Sequence, residues 1–187
     1  MTICIFPGTF NPFHIAHLKM AQFALEKFNF EKIIFIPAYI PPHKSIDENL
    51  AKHRFNMVKL AVKNNSRFLV SDIEYKSKNK SYTIYTVKKI KEQYGISERL
   101  NMIIGTDAFQ KIKTWHKADE LKNMVHFIVF PRGNEKFKTS SDDFAGYSYE
   151  LANMPKIDVS STEIRNHEKD ENLKEIKEYI TKNELYN

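Results

Sequence analysis

The first stretch in this sequence where side chains could do chemistry is Pro7-Gly8-Thr9-Phe10-Asn11-Pro12-Phe13-His14-Ile15-Ala16-His17. His14 and His17 stand three residues apart, so on a helix about 60° would separate them and both could face one ligand. An imidazole donates to phosphate oxygens and, when protonated, offsets negative charge that develops on them. Gly8 permits close approach of the backbone, and free amides ahead of a helix attract phosphate. On these residues alone three readings stay open: phosphate binding, two surface histidines at a helix start, or metal ligation. A zinc-protease pattern, with histidines at i, i+4 and an intervening Glu, is absent.

Further candidates follow along the chain. Lys44 closes Pro37-Ala38-Tyr39-Ile40-Pro41-Pro42-His43-Lys44, where two prolines stiffen the loop and fix where the lysine points. Thr83 opens a helical pattern, a place that favours anions, and either it or Ser81 could be a plain N-cap. Gly105-Thr106-Asp107 ends an apolar run, with Asp107 readable as the cap of a following helix. Trp115, the single tryptophan, offers a flat indole for stacking or for the core. Ser160 with Glu163 forms a capping box, Ser161 and Thr162 begin the helix it caps, and Arg165 can fork onto phosphate oxygens.

The elements that must position these residues alternate. Strand-like segments are Thr2–Phe6, Ile33–Pro37, Phe68–Asp72, Leu100–Gly105, Val125–Phe130 and a shorter Lys156–Val159. Several are apolar at every position, which fits strands buried on both faces. Helical patterns run from Ile15 to Phe28, Arg54 to Val62, Ser81 to Tyr94 and onward from Leu173. The expected fold is an α/β, Rossmann-like open parallel sheet with helices on both faces. A strand order of 3-2-1-4-5 would set the Gly105 turn beside the histidines, at the carboxyl ends of the strands. One domain over 1–187 is expected, with a small helical part at about 161–187. The polar segment from Glu135 to Glu150 reads as a surface loop.

Composition narrows the class. With one cysteine, Cys4, neither an internal disulfide nor a Cys-based zinc cluster can form, which fits a reducing cytosol. No apolar run could span a bilayer and no signal peptide is evident, so a cytoplasmic protein is expected. The formal net charge of +6 favours anionic partners without choosing among them. Lys76, Lys78 and Lys80 cluster without interleaved aromatics, which argues against a nucleic-acid-binding module.

Pro7 to His17 resembles the T/HxGH signature of the nucleotidyltransferase superfamily, in the form typical of bacterial nicotinate-nucleotide adenylyltransferases. Pro7 and Ala16 stand where that family usually has glycine. Later segments resemble the family in the same order: Pro41-Pro42-His43-Lys44, Ser71-Asp72-Ile73-Glu74, Ser81 to Thr86, Gly105-Thr106-Asp107, Thr114 to Leu121, and Asp158 to Arg165. Tyr85 replaces an Asp.

The resemblance implies that ATP and nicotinate mononucleotide are the substrates and that Mg2+ enters with ATP. It implies His14 and His17 as catalytic residues. Gly8, Thr9, Phe10, Lys44, Ser161, Thr162 and Arg165 would meet ATP and its phosphates, with Gly105 and Asp107 on the nucleotide. The nicotinate ring would lie against Thr83, Trp115 and His116. Turnover of nicotinamide mononucleotide or phosphopantetheine is the nearest alternative. A homo-oligomer is compatible with the sequence; membrane and nucleic-acid partners are not expected. Replacing His17 by Ala is expected nearly to abolish turnover with little loss of folding.

Overall fold

The computed structural model describes residues 2–42, 49–77, 80–132, 144–155, 157, 159–169 and 172–186. Six strands, β1 (Ile3–Gly8), β2 (Lys32–Pro37), β3 (Phe68–Val70), β4 (Leu100–Gly105), β5 (Val125–Phe130) and β6 (Ser148–Leu151), form one sheet. All pairings are parallel and the order is β3-β2-β1-β4-β5-β6. The helices are α1 (Ile15–Lys27), α2 (Leu50–Val62), α3 (Ile73–Ser77), α4 (Thr83–Tyr94), α5 (Thr106–Phe109), α6 (Ala118–Met124), α7 (Ser161–Arg165) and α8 (Lys174–Lys182).

The apolar strands build two cores because successive side chains leave opposite faces of a sheet. Cys4, Phe6, Ile33, Phe35, Ile103, Ile128 and Phe130 pack on one face with Ala21, Leu25, Met57 and Val58 of α1 and α2, and with Ile176 of α8. Ile5, Ile34, Ile36, Met102, Ile104, Phe127 and Val129 pack on the other with Ile84, Val87 and Ile90 of α4, Phe109 of α5 and Leu121 of α6. The strand order and two-faced burial agree with the sequence reading.

The sixth strand does not. Ser148–Leu151 overlaps the end of the segment expected to be a loop and pairs only with β5, at the sheet edge. Edge strands need only one partner and one buried side, so a polar stretch with Leu151 half exposed suffices. Conversely, Ile157 and Val159, expected in a strand, carry none; Lys156 and Asp158 lie outside the described residues.

The sheet also explains how Pro7 is tolerated in a central strand. β1 pairs with β4 only at Cys4↔Asn101 and Ile5↔Met102, while its pairing with β2 continues to Gly8↔Pro37. Pro7 therefore lies beyond the last β1–β4 pair, where the strands part. The crevice at this switch point is where ligands of such sheets bind.

Candidate functional site

The loop after β1 is built on aromatic packing. Phe10 has φ 48°, and its ring stands 5.5 Å from those of Phe6 and Phe13 and 5.0 Å from His17. A Cβ on Gly8 would fall 2.7 Å from that ring, so glycine is required there by Phe10 itself. Phe10 is buried, and anything it offers a ligand must come from its main chain.

His14 is not a helical residue but the N-cap of α1, with extended backbone (φ −146°, ψ 172°). The two histidines therefore do not share a helix face. They stack instead, with ring centroids 3.7 Å apart at 29°. Nδ1 of His17 accepts the backbone N–H of His14 at 3.2 Å, which puts its ring proton on Nε2. Both ring nitrogens of His14 are buried without a hydrogen-bond partner among the described residues. Burial, aided by the cation of Arg132 and opposed by Glu163, pushes the His14 pKa down to about 3. This disfavours a cationic His14, one of the roles expected from sequence, near neutral pH.

That depression carries a testable sign. Between pH 6.5 and about 3 an unfolded chain takes up a proton at this site that the folded chain refuses. Stability is therefore fully present above 6.5 and falls as pH drops, by at most about 1.4 kcal/mol per pH unit. His14→Gln should flatten this acid limb of urea unfolding measured across the same range. An unchanged slope would show that the site does not resist protonation.

His14, Ala16, His17 and Met20 line a cleft together with Phe130 at the end of β5, Pro131 and Arg132 just beyond it, and Met154, Pro155, Ile157 and Val159. Arg132 is fastened there by Thr106, whose Oγ1 accepts the Arg132 N–H at 2.9 Å and donates to its carbonyl at 2.8 Å. Asp107, the second residue of α5 and not its N-cap, stands 3.9 Å from the Arg132 guanidinium. A Cβ on Gly105 would meet Asp107 Oδ1 at 2.5 Å and Arg132 Cδ at 3.0 Å. Arg132 was missed in the sequence; its position just past the carboxyl end of a strand was the available signal.

The helix after the cleft reaches the same loop. Ser160 caps α7 with the expected box to Glu163. Ser161 Oγ donates to the Pro12 carbonyl at 3.0 Å, and Arg165 donates to the carbonyl of Asn11 and, at 3.3 Å, to Thr162 Oγ1. Tyr186, beyond α8, donates to Asn11 Oδ1 at 2.6 Å. The start of α7 therefore meets the Asn11-Pro12 part of the loop that leads to the histidines. Arg165 also has a structural task in that junction.

Arg54 of α2 was read only as a helix residue, yet it is completely buried. Its guanidinium donates to the carbonyls of Thr9, Ala38 and Tyr39, tying the loop after β1 to the loop after β2. The signal was a charge in line with the buried stripe Met57, Val58 and Ala61. Nearby, Glu74 of α3 is buried and accepts from Thr86 Oγ1 at 2.7 Å. Burial raises the Glu74 pKa, while the Ser81 and Thr86 hydroxyls, the Tyr39 amide and Arg54 pull it back.

A second group gathers at the start of α4. The backbone of Ile40 bridges to Lys80, and Ser81 Oγ accepts the Tyr39 N–H at 2.9 Å, which sets where Thr83 begins the helix. Tyr82, rather than Ser81 or Thr83, is the N-cap. The His116 ring lies 4.5 Å from that of Tyr82, so the Trp115–His116 turn meets α4 close to Thr83. Trp115 is half-buried and packs against the α4-side core. Lys44 lies outside the described residues.

A family model described as cytidylyltransferase-like matches residues 5–167. Two curated relatives are each named "Probable nicotinate-nucleotide adenylyltransferase". One, from Caldicellulosiruptor saccharolyticus, is 39% identical over 88% of this chain and 85% of its own length. The other, from Clostridium botulinum, is 40% identical over 89% and 86%. The solved nicotinic acid mononucleotide adenylyltransferase of Plasmodium falciparum, complexed with NaAD, superposes with a TM-score of 0.77 at 26% identity, covering 98% of this chain and 96% of that one. The chain belongs to the cytidylyltransferase-like family and, within it, to the nicotinate-nucleotide adenylyltransferases.

Proposed function

We propose that this protein transfers the adenylyl group of ATP to nicotinate mononucleotide, giving deamido-NAD and pyrophosphate. The observation that carries the reading is His14: a neutral imidazole, 2% exposed, whose two ring nitrogens have no hydrogen-bond partner among the described residues, on the wall of a cleft shared with His17 and Arg132. A buried polar group left without a partner costs about 1–3 kcal/mol, a cost that a phosphate oxygen would relieve.

The chemistry needs no protein nucleophile. The 5′-phosphate of nicotinate mononucleotide is already an anion near neutral pH. One of its oxygens attacks the α-phosphorus of ATP, a new P–O bond forms, and the bond to the bridging oxygen of the β-phosphate breaks as pyrophosphate leaves. Catalysis then consists of placement and charge stabilisation. Nε2–H of His17 would donate to an α-phosphate oxygen, with His14, Thr9 and the backbone of Gly8 and Phe10 beside it. Arg132 would add positive charge to the same cleft, and Arg165, Thr162, Ser161 and Lys44 would hold the outer phosphates.

Asp107 would accept from ribose hydroxyls beside Gly105. Thr83, Trp115 and His116 would take the nicotinate end. Magnesium arriving with ATP would supply positive charge that offsets the charge of the phosphates. Among the described residues no three His, Cys, Asp or Glu side chains are grouped to hold a metal.

The test is pyrophosphate release from ATP and magnesium with nicotinate mononucleotide, nicotinamide mononucleotide or phosphopantetheine as acceptor. The expected result is turnover chiefly of the nicotinate form. Equal rates with acid and amide would overturn the assigned selectivity, and no turnover would overturn the activity.

A further inference from the structure

The geometry points to Tyr85 as a positioning residue for the pyridine end of the acceptor, acting through His116. This rests on the adenylyl-transfer reading above, and it assigns a task to a residue that reading leaves unused. Tyr85 lies in the first turn of α4 with 43% of its surface exposed, yet its hydroxyl is 3.1 Å from Nε2 of His116 on another element. The Tyr82 ring lies 4.5 Å from that of His116 at 36°, so one imidazole is held by two tyrosines. The Lys117 ammonium sits 5.3 Å over the Tyr85 ring, and Lys88 of α4 pairs with Glu120 of α6.

The turn has a reason to need such fastening. Its own backbone bonds are local, Trp115 N–H to Ile112 and Ala118 N–H to Trp115, both 3.1 Å, and Lys117 has φ 55°. The Tyr85 hydroxyl therefore fixes the spacing between the start of α4, where Thr83 stands, and the main chain of Trp115 and His116. These are the two walls assigned to the nicotinate ring. A subsite assembled before its ligand arrives binds more tightly, because ordering is not charged to binding. The first turn of α4 itself carries no acidic residue.

Tyr85→Phe keeps the ring and deletes the bond. Losing one such hydrogen bond should raise KM for nicotinate mononucleotide about two- to ten-fold, with KM for ATP and kcat unchanged. Trp115 is the only tryptophan, so acrylamide quenching of its fluorescence reads the turn directly, and quenching should steepen in the variant. An unchanged KM for nicotinate mononucleotide overturns the proposal, as does an equal rise for ATP. A wild-type chain inactive on nicotinate mononucleotide sinks the adenylyl-transfer reading instead. In that case unchanged quenching in Tyr85→Phe would still overturn the fastening, and steeper quenching would uphold it.

Discussion

His17→Asn should lower turnover about 10²–10³-fold while leaving a folded protein, the loss typical of removing one donor aimed at developing negative charge. Asparagine is chosen because of what His17 does in the fold. Its Nδ1 accepts the N–H of His14 at the start of α1, and an asparagine oxygen occupies nearly the same place. What asparagine cannot supply is the donor at the Nε2 position. The sequence-based expectation that alanine would spare folding needs correction, since His17 is 6% exposed and packs 5.0 to 5.9 Å from the rings of Phe6, Phe10 and Phe13. Alanine would empty that space and lose the cap together, mixing stability with catalysis.

Glutamine makes the complementary probe, because it reaches toward Nε2 and gives up the cap. His17→Gln should therefore retain more turnover than His17→Asn but melt lower. Steady-state pyrophosphate release and thermal unfolding of both variants decide the matter. Wild-type turnover in folded His17→Asn would remove His17 from the chemistry.

The parts of this architecture legible in the sequence are those set by solvent exclusion over whole segments. Strands such as Ile33 to Ile36 are apolar at every position because both faces are covered, and this already implied a parallel sheet inside helices. β6 escaped because an edge strand needs no such run: Ser148, Tyr149 and Glu150 qualify by pairing alone. At the site, residue types were legible and geometry was not. Spacing placed His14 and His17 on one helix face, whereas extended backbone at His14 makes it a cap and converts the pair into a stack. Tyr85 looked like a departure without a task, because its partner His116 lies 31 residues away and no local pattern joins them.

Arg54→Met should destabilise the fold by roughly 3–5 kcal/mol, the cost of removing one member of a buried, hydrogen-bonded charged group. Methionine fills similar space but donates nothing, so the carbonyls of Thr9, Ala38 and Tyr39 lose their shared donor and Glu74 keeps a buried carboxylate with less compensation. Glu74→Gln added to Arg54→Met should recover part of the loss, whereas independent effects would simply add.

The pH dependence has a definite sign. Burial raises the folded-state pKa of Glu74 above its ordinary 4.5, so that site's contribution to stability is greatest below 4.5 and falls as pH climbs toward the folded value. Removing Arg54 takes away a charge that pulls the pKa down and so deepens the fall. The deficit of Arg54→Met relative to wild type should then be smaller in acid and grow as pH rises above 4.5, in denaturant unfolding measured at several pH values. A deficit independent of pH would mean that the two charges do not act on each other. Because one guanidinium fixes the Thr9 carbonyl and the loop after β2 together, the same variant should bind ATP more weakly wherever it remains folded, which links stability of the core to the shape of the loop after β1.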